Sequence, residues 1–352
     1  MSVFALGIEL DGEGTHPAAW RRANHPPSES LSGRILTRRV QAAENAGFTL
    51  ATFDDSILSP TADIRARVDA VNRASFVAAT TSTIGLVPVV ETTYAEPFHT
   101  SSQLATLDYS SRGRAGWIAA RVEDHAAAAA WGRPVLTAQS DIDREQRDSI
   151  TIARALWDSW EDDAVIRDYK NGRFLDRGKL HYIDFEGESV TVKGPAIVPR
   201  PPQGQVVVFG TETDRDQVDI VLITDPNRDR AVEAADRSRG LTFIEVGVTL
   251  DTPAAAAADR LAALDAHAHA PETPRLEYTG SANGFVELLT DLAAHTDGVR
   301  LFPTVIDEDL RELARYVLPA LFHSDVAHRP VPGSSLRGNL GLARPANRYA
   351  RA

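Results

Sequence analysis

Four short stretches of the chain carry residue types able to do chemistry. GEGTHPAAW (12–20) holds His16, an imidazole that titrates near neutral pH and could orient a ligand. The pair Asp54–Asp55 supplies two carboxylates. The run ETTYAE (91–96) sets the hydroxyls of Thr92, Thr93 and Tyr94 between Glu91 and Glu96. Hydroxyls both donate and accept hydrogen bonds, and flanking carboxylates could share acid–base work. GTETDRD (210–216) offers Thr211, Thr213 and Arg215 beside Asp214 and Asp216. Each stretch also has a plain structural reading. His16 could be an ordinary loop histidine, and the aspartates helix caps or loop carboxylates. TTYAEPFH could simply shape a turn that starts a helix with Pro97 near its first position. Glu91 and Glu96 could be solvated loop charges.

Other chemistries find no support. The chain has no cysteine, which excludes disulfides, thiolate metal sites and cysteine nucleophiles. His16, His99 and His125 are scattered and make no zinc set, HYIDFE (181–186) is not a metal motif, and no GxSxG is present. No metal is therefore expected. With 49 acidic against 37 basic residues the formal net charge is -12, which repels nucleic-acid backbones and anionic membrane surfaces. The start, MSVFALGIEL, lacks the basic stretch of a signal peptide, and no apolar run reaches the roughly 18 residues of a membrane span. The expectation is a cytoplasmic protein.

Short β-rich runs alternate with helical patterns and must position these groups. Strands are predicted at Phe4–Glu9, Thr49–Phe53, Thr83–Val90, Arg114–Ala120, Gln205–Phe209, Val218–Ile223, Leu241–Thr249 and Val299–Phe302. Helices are predicted at Ser32–Gly47, Ile64–Thr80, Pro97–Ser110, Arg144–Trp160, 228–239, 253–269, 283–296 and Asp307–Phe322. Trp117 is expected in or over the mouth of the resulting sheet. Residues 161–204 are rich in Gly, Pro and charge and read as an insertion, with a small hairpin between Tyr182–Phe185 and Ser189–Val192. Residues 324–352 read as a polar, extended tail after a domain covering 1–323. Eight alternating units suggest a (β/α)₈ barrel, an α/β fold, although pattern alone leaves a doubly wound open sheet possible.

The block TTYAEPFHTSSQLATLDYSSRGRAGW (92–117) resembles the signature of the nitrilotriacetate, pristinamycin and dibenzothiophene-sulfone monooxygenases, a branch of the bacterial luciferase-like flavin monooxygenases. DGEGTHPAAWR (11–21), RALWDSWEDDAVIRD (154–168), HYIDFEGESVTVKGPAIVPRPPQG (181–204) and SSLRGNLGLARPANRYA (334–350) extend the resemblance in order. It implies a (β/α)₈ barrel that takes reduced FMN from a separate NAD(P)H-dependent reductase and oxidises a small organic substrate with O₂. It further implies a homodimer, or a heterodimer with a homologous subunit. By the same resemblance His16 lines the active-site mouth, and Asp55, Thr92, Thr93 and Thr211 approach the flavin.

Three segments depart from that pattern. Ile118 follows Trp117 where members carry Asn, and an apolar side chain makes none of the hydrogen bonds an Asn makes to a flavin edge. Ile142–Asp143 stand where members carry Arg-Tyr. The segment 210–217 replaces a Gly/Ser-rich turn that opens a helix and cradles the FMN phosphate, and it leaves only about eight residues between strands five and six. FMN affinity far weaker than that of a member with the intact turn is expected. A non-catalytic partner subunit or small-molecule binder stands as the alternative function.

Overall fold

The computed structural model describes residues 4–29, 31–58 and 66–350. Eight strands carry the buried apolar runs of the sequence: β1 Ala5–Glu9, β2 Leu50–Phe53, β3 Gly85–Glu91, β4 Gly116–Ala120, β5 Val207–Gly210, β6 Ile220–Ile223, β7 Leu241–Leu250 and β8 Gly298–Pro303. Each pairs in parallel with the next. β8 returns to β1, with Ala5 opposite Gly298 and Ile8 opposite Leu301. The sheet therefore closes, and the predicted (β/α)₈ barrel holds against the open-sheet reading.

The helices are α1 Gly33–Ala46, α2 Ala70–Ala78, α3 Pro97–Ser110, α4 His125–Trp131, α5 Gln139–Asp158, α6 Arg228–Arg237, α7 Ala257–Asp265 and α8 Ala282–Leu292. A last helix, α9, runs through Ile306–Glu312, a π-turn at Leu313–Val317 and Leu318–His323. Local chemistry sets several ends. α1 stops at Gly47, whose N–H bonds the carbonyls of Ala43 and Glu44. α3 starts at Pro97, with the Glu96 carboxylate accepting from the N–H groups of Phe98 and His99. α2 is shorter than predicted: Asp69 caps it by accepting from Asn72 N–H. The proposed start at Ile64 lies outside the described residues.

Alternation along each strand sorts side chains into two layers. One layer faces the helices and includes Leu6, Phe53, Leu86, Val208, Ile244 and Leu301. Trp117 belongs here and meets Trp157 of α5 edge-on at 6.4 Å between ring centroids, which corrects its expected place at the mouth. Its neighbour Ile118 faces the other layer, the barrel interior, with Leu50, Val87, Val89, Phe209 and Phe243.

The C-terminal segment closes the lower end of that interior. Leu336, which opens the short helix Leu336–Asn339, and Leu340, which follows it, are buried in the interior cluster. A Cβ added at Gly85 would stand 2.6 Å from Leu336 Cδ1, and one at Gly116 3.1 Å from its Cδ2. These two glycines make room for the leucine. Arg337 fixes the plug through Asp219 (3.0 Å) and the Gln205 carbonyl (3.3 Å). The segment read as a polar tail is thus part of the core.

The strand Leu276–Gly280 and the first hairpin of the insertion were not foreseen in the sequence; the second hairpin and the missing helix between β5 and β6 are as expected. Leu276–Gly280 adds a ninth strand, parallel to the upper half of β7. The insertion holds two hairpins, Val165–Asp168 with Arg173–Leu175 and Phe185–Glu186 with Thr191–Val192. They pack on Ile152, Leu156 and Trp160. Between β5 and β6 a single 3-10 turn, Glu212–Asp214, stands where the barrel would place a helix.

Candidate active site

In a barrel of this type function collects where the strands end and their loops begin. Two hydrogen-bonded networks occupy that end here. The first is a set of charges inside the barrel. Arg300 of β8 donates to Glu9 of β1 (2.5 Å), Glu245 of β7 (2.8 Å) and the Thr52 hydroxyl of β2 (3.0 Å). Thr52 in turn donates to Glu9 (2.7 Å), and Thr224, just past β6, to Glu245 (2.8 Å). Glu9, Thr52, Glu245 and Arg300 are all buried. Burial alone would raise the Glu9 carboxyl. The Arg300 charge, with hydrogen bonds from Thr52, Arg300 and the Asp54 N–H, holds it below the usual carboxylate range instead. Burial would likewise lower Arg300, but Glu9 and Glu245 raise it.

Asp54 stands at the rim above this set. It is exposed, yet protein crowds it on most sides, and that loss of water together with the Glu9 charge pushes its carboxyl up to about 6. Water at the rim screens part of the effect.

The second network ties β3, β4, β5 and α5 together. Asp214 is buried and accepts five hydrogen bonds. They come from Arg121 Nη1 (2.9 Å) and Nη2 (2.6 Å), Gln146 Nε2 (2.7 Å), and the Thr211 N–H (3.1 Å) and hydroxyl (2.9 Å). Arg121 spends its remaining donors on Thr211 Oγ1 (3.0 Å), Thr213 Oγ1 (2.7 Å) and Asp143 (2.9 Å). Its five N–H groups are thereby all engaged. Gln146 accepts from the Thr92 hydroxyl (3.1 Å).

The structure brings together two of the predicted site residues. Thr92 and Thr211 share this network through Gln146 and Asp214. Thr93 lies beside them, buried, its hydroxyl accepting from Val122 N–H at 3.0 Å. Asp55 goes elsewhere. Its oxygens accept from the N–H groups of Ser56 (2.9 Å) and Ala70 (2.5 Å), so it anchors the loop after β2 to the start of α2. His16 is buried under α7: Nε2 meets Asp265 at 3.2 Å and Nδ1 accepts from Ala18 N–H at 3.1 Å. Both ring nitrogens are used, and none of these partners is another candidate residue. Glu91 accepts from Ile57 N–H, and Glu96 caps α3.

The residues missed in the sequence are Glu9, Glu245 and Arg300. A signal existed: each is a lone charge in an apolar strand, GIEL, FIEV and VRLF. Gln146 carried no signal of its own, because its role depends on how α5 lies against the turn; Asp214 stood out with its stretch, but its five donors did not. Among the described residues no group of His, Cys, Asp or Glu is placed to hold a metal ion, and no helix is long and apolar enough to cross a membrane.

A cavity of about 720 Å³ opens beside the ends of β5 and β6, where the missing helix leaves the wall uncovered. Thr211, Arg215, Leu222, Ile223, Thr224 and Arg237 line it. Thr224 also belongs to the buried charge network, so the cavity reaches it. A more open depression of about 540 Å³ lies over α1, lined by Gly33, Thr37 and Phe76. It is on the outer face of a helix, away from the strand ends.

FMN has two parts to place. For the isoalloxazine ring, the cavity offers a volume in the range of small-molecule sites and a lining that mixes Leu222, Ile223 and Ala234 with the hydroxyls of Thr211 and Thr224 and the charges of Glu212, Arg215 and Arg237. The phosphate does not fit the turn after β5. The donors there are already directed at the Asp214 carboxylate, and a dianion beside it would be repelled.

A family model for luciferase-like monooxygenases matches residues 16–283. N-acetyl-S-(2-succino)cysteine monooxygenase of Bacillus subtilis is 35% identical over 209 residues, 58% of this chain and 47% of that protein. Nitrilotriacetate monooxygenase component A of Aminobacter aminovorans is 33% identical over 58% of this chain and 48% of its own length. The chain thus matches about half the length of these two relatives. A pristinamycin IIA synthase subunit of Streptomyces pristinaespiralis is 29% identical over 90% of this chain and 91% of its own length. Among solved structures, EDTA monooxygenase from Chelativorans sp. BNC1 shares the fold with a TM-score of 0.80 over 97% of this chain and 99% of its own, at 19% identity. With its closed barrel and the family match over three quarters of its length, the chain belongs to the luciferase-like monooxygenase family.

Proposed function

We propose that the chain is a flavin-dependent monooxygenase that oxidises a small organic molecule with O₂, using reduced flavin delivered by a separate NAD(P)H-dependent reductase. The observation that carries this reading is the cavity of about 720 Å³ at the ends of β5 and β6, in a barrel of this family. Its volume lies within the roughly 300–1,000 Å³ typical of small-molecule sites. Leu222 and Ile223 give it an apolar wall, and Thr211 and Thr224 give it hydroxyls. A flavin, when bound, supplies the oxygen chemistry; the protein supplies position and shelter from water.

The chain's own groups divide the remaining work. Arg300 holds Glu9 ionised and fixes both Glu9 and Glu245 in place, and Thr224 extends that set to the cavity wall. Asp54, with a proton affinity near neutral pH, holds or releases a proton at the rim. Thr92 and Thr93 lock the loop after β3 to β4 and so shape the mouth. We assign His16 and Asp55 to positioning their loops. A dimer, of this chain or with a homologous subunit, is the assembly we propose.

The test supplies the purified chain with a flavin reductase, NADH, FMN or riboflavin, and O₂. The substrates offered are N-acetyl-S-(2-succino)cysteine and nitrilotriacetate, the compounds that name two relatives, together with simple thioethers and amines. Mass spectrometry is expected to show oxidised product that depends on the protein. Product equal to that of free reduced flavin, with no flavin binding in either redox state, would overturn the reading and leave a non-catalytic partner subunit.

A further inference from the structure

Arg121, Thr211 and Gln146 converge from β4, the β5 turn and α5 in the manner of an anion-binding site. One guanidinium, one amide, one main-chain N–H and a hydroxyl aim at a single point, and α5 and the turn cover it from water. The point is filled by a side chain of the same turn: Asp214, buried, with five donors between 2.6 and 3.1 Å. Its Oδ2 alone takes four of them. A lone capping aspartate needs one or two main-chain partners. This one also receives a two-pronged guanidinium, the geometry by which arginine takes carboxylates and phosphates.

We infer that the chain closes this anion cradle with its own carboxylate, and that Asp214 is a specificity-determining residue: it makes the site indifferent to a phosphate on the flavin. The cluster already holds two carboxylates, Asp143 and Asp214, against one guanidinium. A phosphate would add charge of the disfavoured sign and would find every N–H of Arg121 engaged. The flavin is then held by its ring in the neighbouring cavity, whose wall includes the same Thr211. FMN then gains no affinity from its phosphate over riboflavin, the phosphate staying in solvent. This inference rests on the flavin reading only for its comparison of the two flavins; the filled cradle stands apart from it.

Two experiments on the full chain test it. In the first, the wild type is titrated with FMN and with riboflavin, followed by flavin fluorescence. The two dissociation constants are expected to agree within about threefold, and FMN binding tenfold or more tighter than riboflavin would overturn the inference. In the second, Asp214→Ser opens the cradle and inorganic phosphate is the probe. Phosphate is expected to raise the melting temperature of Asp214→Ser and leave the wild type unmoved relative to chloride at equal ionic strength. Equal stabilisation of both proteins, or of neither, would overturn it. Should Asp214→Ser not fold alone, its refolding with phosphate or acetate present decides: recovery by the added anion supports the cradle, and no recovery refutes it. If the wild type takes up neither flavin, the flavin reading fails while the phosphate experiment still decides whether the cradle exists.

Discussion

Replacing Arg300 with methionine removes the guanidinium bonded to both Glu9 and Glu245 and keeps most of the volume. Three hydrogen bonds are lost at once, to Glu9 (2.5 Å), Glu245 (2.8 Å) and Thr52 (3.0 Å), all inside the barrel. Removing one partner of a buried ion pair costs about 3–5 kcal/mol, because the other charge is left without compensation. Here two carboxylates are stranded. Glu9 keeps its bonds from Thr52 and the N–H groups of Asp11 and Asp54, and Glu245 keeps that from Thr224. These residual bonds place the expected loss near the lower end of the range. The sign with pH follows from linkage. In the wild type the Glu9 carboxyl is held low, so its contribution is present above the unfolded carboxyl range and fades as pH falls through the folded value. Without Arg300, burial is the dominant remaining influence and the carboxyl rises, so the variant loses stability as pH rises. Urea unfolding at about pH 5 and about pH 7.5 should show the penalty growing by at least about 1 kcal/mol between the two. A pH-independent loss, or one under about 1 kcal/mol at neutral pH, would show that Arg300 is not what holds the two acids in place.

Leu336→Ala should destabilise the barrel by about 2–5 kcal/mol, since it empties the space that Gly85 and Gly116 leave for the side chain; calorimetry or urea unfolding reads this, and a negligible change would mean the C-terminal plug is peripheral. Asp108 is fully buried, and burial pushes its carboxyl up to about 6 in spite of bonds from Gln203 and Ala115. A raised carboxyl stabilises below the unfolded value and loses that contribution as pH climbs through about 6, a decline of about 3 kcal/mol that Asp108→Asn should abolish in a comparison of unfolding midpoints across that window. His16→Ala should cost about 1–2 kcal/mol through its two hydrogen bonds, one buried and one partly so, and leave turnover per folded molecule unchanged; a large fall in turnover with intact stability would return the imidazole to the chemistry.

The barrel was legible because its information is redundant. Runs such as LGIEL, LATF and VVVF are apolar over a strand's length, and stop signals such as Gly47 and Pro97 stand where helices end or begin. Leu276–Gly280 escaped because LEYTG alternates weakly and lies between two helical patterns, and only the free upper edge of β7 makes it a strand. The polar composition of 334–350 hid the two leucines that plug the barrel, because a tail's burial depends on a hole that two distant glycines create. The site was half legible for a similar reason. Residue type and position at a strand end brought out Thr92 and Thr211. Of Asp54 and Asp55, it is Asp55 that turns back to the Ala70 N–H while Asp54 opens to the rim. The charges inside the barrel were visible one at a time. What the sequence lacked was their register, in which Glu245 lies opposite Arg300 and Glu9 opposite Thr52.

Register also changes the meaning of the three segments that depart from the resemblance. In the sequence they are separate, at Ile118 and the residues that follow it to Arg121, at 142–143 and at 210–217, and they read as three unconnected losses. In the fold one guanidinium joins them: Arg121 from the first bonds Asp143 from the second and Thr211, Thr213 and Asp214 from the third. A lone Arg121 would be a buried cation without a partner, and a lone Asp214 a buried anion, each costing several kcal/mol. Together they neutralise one another and leave Asp143 partly exposed to water. The three changes therefore amount to a single rearrangement in which a charged cluster internal to the protein replaces whatever an open turn would have held. Replacing Arg121, Asp143 or the 210–217 turn strands the partners contributed by the others, whereas Ile118 lies apart from the cluster in the barrel interior.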